Sequence, residues 1–185
     1  ALFALGEERH SLSTDTLCNY AHQAKLLSIQ QGNILNIAIA EYNLGTCLVK
    51  RGMLDSALKL CETQMKKIER HPKNDFAQMK LTLLKAQVLI RSTKYKEGIA
   101  EIYKLLSYAE QNKDTLMQMI AKNGIGWANM EMQQTSEALN WFFKALSTST
   151  NQAYHEKSSN IYSNIAAVYR QLHKNDSAEF YINKA

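Results

Sequence analysis

The chain has 185 residues, 45% of them hydrophobic and 21% charged, so it can bury a full core and is neither disordered nor fibrous. Seven glycines and one proline are too few for the many tight turns of a sandwich or barrel, which excludes the all-β classes. The net charge of +5 is modest, three cysteines make no closed disulfide framework, and no apolar run is long enough to span a membrane.

The first residue is Ala1, with no basic region or apolar leader before it, so the chain reads as a piece of a longer protein. The compartment stays open on that ground. Within residues 1–33, Asp15-Thr16-Leu17 reads as a degenerate copy of a pattern that becomes clear further on. Cys18 and His22 share one helical face, but two ligands make neither a structural nor a catalytic zinc site. The adjacent carboxylates Glu7 and Glu8 diverge around a helix, and His10 has no partner at helical spacing. Cys18, Cys47 and Cys61 all sit in apolar helical patterns and read as free, buried thiols. That tilts the compartment towards the cytoplasm, with a periplasmic sensor domain as the other option.

From residue 34 onwards a repeat emerges. Asp55-Ser56-Ala57-Leu58 recurs as Lys96-Glu97-Gly98-Ile99, Ser136-Glu137-Ala138-Leu139 and Asp176-Ser177-Ala178-Glu179, with small residues 41, 40 and 40 apart. A second comb of small residues, Gly45, Ala86, Gly126 and Ala166, stands 12 before each. The units are about 34–73, 74–113, 114–152 and 153–185, forming one repeat domain over 1–185. Each reads as two helices with apolar residues three and four apart. Gly or Ala at the waist of the first helix lets the second cross closely. The second helices are expected to start at turn and cap chemistry: Gly52 with Asp55, Thr93, Thr135-Ser136 and Asn175-Asp176. The basic stretch Lys66–Lys73 holds no aromatic and matches the solvated C-terminal end of a helix, so no nucleic-acid partner is expected. Pro72 sits in a connection, as does Asn151. The last unit carries Phe180, Tyr181 and Ile182 with no helix after them, which points to further repeats or to self-association through the C-terminal end.

Two small residues 12 apart in tandem helix pairs, with Leu44, Gly45, Leu48, Ala57 and Cys61 in one unit and Ile125, Gly126, Ala138, Phe142 and Ala145 in another, resemble the tetratricopeptide (TPR) repeat. The departures are a unit of 40 or 41 residues against the family's 34, Glu41, Thr82, Lys122 and Tyr162 where the family has an early Trp, and no closing Pro. Elongated units of this kind are similar to those of bacterial peptide-sensing regulators, of sensor portions of bacterial transcription factors and kinases, and of kinesin light chain. The resemblance implies an all-α fold, a right-handed α-solenoid of antiparallel helix pairs whose first helices line a concave groove. It places in that groove Tyr42, Asn43, Thr46, Lys80, Leu83, Gln87 and Ile90, then Asn123, Trp127, Met130, Asn160, Asn164 and Arg170. Trp127 and Met130 also read as packing between units. Asparagines such as Asn43 and Asn164 both donate and accept, as a peptide-backbone clamp requires.

Catalytic constellations are absent from the sequence: there is no HExxH, GxSxG, P-loop or GxGxxG. His71, His155 and His173 have no ligand or base at helical spacing. The expectation is a non-enzyme without metal or cofactor, a scaffold binding a protein or peptide segment. The alternative is the sensing part of a regulator whose output domain lies outside these residues.

Overall fold

The computed structural model describes residues 13–71, 74–148 and 155–185. The expectations on Glu7, Glu8, His10, Pro72, Lys73, Asn151 and the side chain of His155 lie outside the described residues. Within them are nine α-helices and no strand: α1 (Thr14–Gln30), α2 (Ile34–Lys50), α3 (Leu54–Ile68), α4 (Asp75–Arg91), α5 (Tyr95–Gln111), α6 (Thr115–Glu131), α7 (Thr135–Thr148), α8 (His155–Gln171) and α9 (Asn175–Ile182). The helices fall into two compact units, divided between Lys94 and Tyr95.

One kind of turn ends six of the helices. Gly32, Gly52, Thr93, Lys113, Gln133 and His173 each take a positive φ between 55° and 76°. At each, the following N–H reaches back five residues: Asn33 to Ser28, Met53 to Leu48, Lys94 to Leu89, Asp114 to Ala109, Gln134 to Asn129 and Lys174 to Tyr169. This is a Schellman closure, which satisfies carbonyls that the helix end would otherwise leave unpaired. Glycine adopts the left-handed conformation at no steric cost, whereas β-branched Thr93 is strained there. The repeat is thus legible in the backbone itself, with turn residues 20, 41, 20, 20 and 40 apart.

The side-chain caps depart from expectation. Asn33 and Asp114 cap the first helices α2 and α6, accepting from the N–H of Asn36 at 3.0 Å and of Met117 at 2.9 Å. The second helices α3 and α9 begin at Met53 and Lys174, without any side-chain cap. A three-residue turn already ties the chain there through the Schellman bonds, so a cap adds little.

In the first unit, the core gathers Val49, Ala57, Cys61, Leu84 and Val88 in one cluster and Ala38, Ile68, Ala77 and Leu81 in another. In the second, Phe142 is fully buried among Met119, Ala138, Ala145, Ile161, Ile165 and Val168. The waist glycines explain both approaches. A Cβ on Gly126 would lie 2.6 Å from ring carbons of Phe142 on the second helix α7. At Gly45 the neighbour is different: a Cβ would collide with Leu84 on α4, while Leu60 on α3 stands 3.5 Å away. Close crossing by the second helix therefore holds at Gly126, whereas Gly45 chiefly makes room for the next first helix.

Cysteine pairing corrects the sequence reading. Cys18 on α1 and Cys47 on α2 form a disulfide, with Cα atoms 5.8 Å apart and both side chains buried. Two helices joined by the turn at Gly32 bring residues 29 apart into register, a pairing that three scattered cysteines do not announce. The tilt towards a reducing compartment loses its basis. Cys61 alone is free, fully buried, and its thiol is pushed up to about 12 by burial, with Glu62 adding to the effect. It stays a protonated hydrophobe at neutral pH. Glu41, in the position of the family's Trp, is buried and meets Lys25 of α1 at 2.8 Å.

Candidate functional site

First helices pack side by side within each unit, α2 on α4 and α6 on α8, so side chains beside the waist residues come together in pairs of helices. In the first unit Tyr42, Thr46, Lys80, Leu83 and Gln87 are partly exposed. The Lys80 ammonium lies 5.5 Å from the ring centre of Tyr42 and 5.3 Å from that of Phe76, which is 48% exposed. Rings on two helices thus hold one cation by their π faces. Phe76 escaped the sequence reading because it stands a full turn before the waist pattern's reach. The Thr46 hydroxyl donates to the Tyr42 carbonyl at 3.1 Å, as a mid-helix threonine commonly does. Two of the expected residues face inwards instead. Asn43 and Ile90 are 6% and 1% exposed, so they pack within the fold and present nothing to a partner.

In the second unit, the Asn164 amide on α8 donates to the Asn123 side-chain oxygen on α6 at 3.0 Å, 41 residues away in sequence. Trp127 and Met130 are half-buried and pack against the Phe142 cluster. Asn160 and Arg170 are exposed on α8. Lys122 is held by the Thr148 hydroxyl at 2.7 Å. At the end of this unit Tyr181 stacks on Tyr169, ring centres 5.5 Å apart, and on Tyr162 at 6.3 Å. Burial, then the neighbouring Tyr169 and Tyr162, raise the Tyr181 hydroxyl above its usual pKa.

No group of three or more His, Cys, Asp or Glu that could hold a metal occurs among the described residues. Cys18 is taken by its disulfide and His22 is exposed, so that pair makes no ligand set. No described helix is long and apolar enough to cross a membrane.

Neither a protein-family profile nor a curated protein matches this sequence. Solved structures do match it in shape. BtubC (BKLC) from P. vanneervenii superposes with a TM-score of 0.67 at 12% identity, over 94% of this chain and 72% of its own. The apo form of RapI gives 0.63 at 11% identity, over 90% and 68%. The nearly identical TPR-like repeats of a P. anserina kinesin light chain give 0.56 at 12% identity, over 99% and 90%. At such identities the likeness is one of fold alone. The chain has the fold of a TPR-like α-solenoid of helix pairs.

Proposed function

We propose that the chain is a non-catalytic scaffold that binds a peptide segment of a protein partner on the faces of its first helices, α2 with α4 and α6 with α8. The asparagine bridge of the second unit carries this reading. The bond between Asn164 and Asn123 uses one donor and one acceptor. It leaves the Asn123 amide N–H and the Asn164 carbonyl without a partner among the described residues. One donor and one acceptor on neighbouring helices match the C=O and N–H of a peptide backbone. Beside them Trp127 and Met130 supply the residue types that interface cores favour.

The test is a random dodecapeptide library displayed on phage and selected on the unmodified chain, with the enriched peptides then measured on Trp127→Ala. Selected peptides are expected to lose at least about 2 kcal/mol, roughly thirtyfold in affinity, on Trp127→Ala. Circular dichroism of the variant should match that of the parent, and Trp127→Phe serves where alanine disturbs the fold. Equal affinity for the variants would make Trp127 a packing residue and place the site elsewhere.

Self-association through the C-terminal end belongs to the same reading. Phe180 and Ile182 are 53% and 51% exposed on α9, beside the stacked tyrosines. Sedimentation velocity should show concentration-dependent growth that Phe180→Ser with Ile182→Ser abolishes. A clean monomer at millimolar concentration would refute it.

A further inference from the structure

The net charge is unevenly placed along the chain. Residues 1–94 carry 13 Lys and Arg against 8 Asp and Glu, whereas residues 95–185 carry nine of each. The whole excess therefore belongs to the first unit. Part of it stands on the first-helix face. Lys50 and Arg91 are the last residues of α2 and α4, both exposed, and neither makes an ion pair among the described residues. A cation at a helix C-terminus suits the macrodipole and by itself marks nothing. Lys80 is different. It stands in the second turn of α4, where the dipole gives a cation no support, and lies over the rings of Tyr42 and Phe76.

No carboxylate shares this face. α2 and α4 contain two, Glu41 and Asp75. Glu41 is buried against Lys25, and Asp75 lies about 140° around α4 from Lys80. Arg91 is eleven residues beyond Lys80 and only about 20° around, so α4 presents both cations in one line. Lys50 ends the neighbouring first helix in the same register, 41 residues before Arg91. At that end of the helices Asp15 is taken by Arg51, and Asp55 stands on the second helix α3.

Spacing selects the partner. Eleven residues of helix put Lys80 and Arg91 about 16 Å apart along the face, and an extended peptide covers that in about five residues. Between them α4 shows the partly exposed Leu83 and Gln87, and no cation. We propose that this face binds an extended acidic segment of the partner, with one carboxylate on Lys80, a second about five residues away on Lys50 and Arg91, and an apolar side chain on Leu83 between them. This deepens the reading of the first-helix faces and rests on it. Nucleic acid is disfavoured because it places a phosphate at every nucleotide, and the stretch between Lys80 and Arg91 offers those phosphates nothing.

The same dodecapeptide library, selected on the unmodified chain at low salt, tests this. Enriched sequences should carry Asp or Glu at two positions about five apart, and their binding should weaken steeply with added salt. Affinity should fall at least about tenfold on Lys80→Gln, and equally on Lys50→Gln combined with Arg91→Gln, as for residues that anchor an interface. The double change replaces exposed side chains only, and so keeps the test valid where loss of Lys80 disturbs the rings. Reversing the charges, with Lys80→Glu and Arg91→Glu, should turn the selection towards Lys- and Arg-containing peptides. Loss on these changes without loss on Trp127→Ala would uphold this proposal and refute the Trp127 anchor alone. Loss on Trp127→Ala with none on the cation changes would overturn this proposal and spare the other. Enrichment of neutral or basic sequences, failure to enrich any peptide, or an unaltered preference after charge reversal would also overturn it. So would Lys80-dependent binding of oligothymidylate or of phosphatidylserine vesicles in place of peptide.

Discussion

Replacing Phe142 by alanine is expected to lower the stability of the chain by about 3–5 kcal/mol, the range for deleting a buried aromatic ring. Phe142 has no exposed surface and lies among residues of α6, α7 and α8, so its loss leaves a cavity that three helices bound. The waist glycine sharpens this expectation. Gly126→Ala pushes a methyl group to within 2.6 Å of the ring and should cost about 1–3 kcal/mol by overpacking. Ala stands at the same waist position, 166, where the residue 16 later is Ile182 rather than phenylalanine. Gly126→Ala combined with Phe142→Leu should therefore cost less than the sum of the two single changes. Urea unfolding of the four proteins measures the coupling. Strict additivity would mean that the glycine is not there to admit the ring.

Breaking the Cys18–Cys47 disulfide is expected to cost about 3.5 kcal/mol, the loop-closure entropy for a separation of 29 residues. The exposed pair of Asp15 on α1 with Arg51, just after α2, at 2.8 Å also ties the two together, but a solvated ion pair contributes only about 0–1 kcal/mol. The Lys25–Glu41 pair is less exposed and remains after reduction. Thiol titration reads the covalent state directly. The oxidised chain should show no reactive thiol when native, because Cys61 is buried and its pKa of about 12 keeps it protonated near pH 8. Denatured, it should show one thiol without reductant and three with it. Three thiols in the denatured, unreduced chain would contradict the pairing, as would unchanged stability of the Cys18→Ser, Cys47→Ser variant under oxidising conditions.

Helix pairs and their period were legible because packing imposes them on composition. A waist that must admit Phe142 excludes larger side chains, so Gly126 stands out in the sequence. Turns were harder to read, since Thr93, Lys113, Gln133 and His173 adopt a left-handed conformation that glycine usually marks. The disulfide was illegible because Cys18 and Cys47 meet only through the antiparallel register of α1 and α2, which no local pattern states. On the first-helix faces, the waist register placed Tyr42, Lys80, Asn123 and Trp127 at the partly exposed surface. It failed for Asn43, which stands one position beyond Tyr42 and so turns by about 100° into the interior, and for Ile90, which is buried although it shares the helix face of Leu83. The bridge from Asn164 to Asn123 depends on two helices lying side by side, and so appears only in three dimensions.

Amide hydrogen exchange with a Trp127-dependent peptide bound tests most directly where a partner docks. Slowed exchange should concentrate in the first helices, with α6 and α8 around Asn123, Trp127 and Asn164 protected most. Protection confined to the second helices α5, α7 and α9, with α6 and α8 unchanged, would contradict the assignment of the binding face.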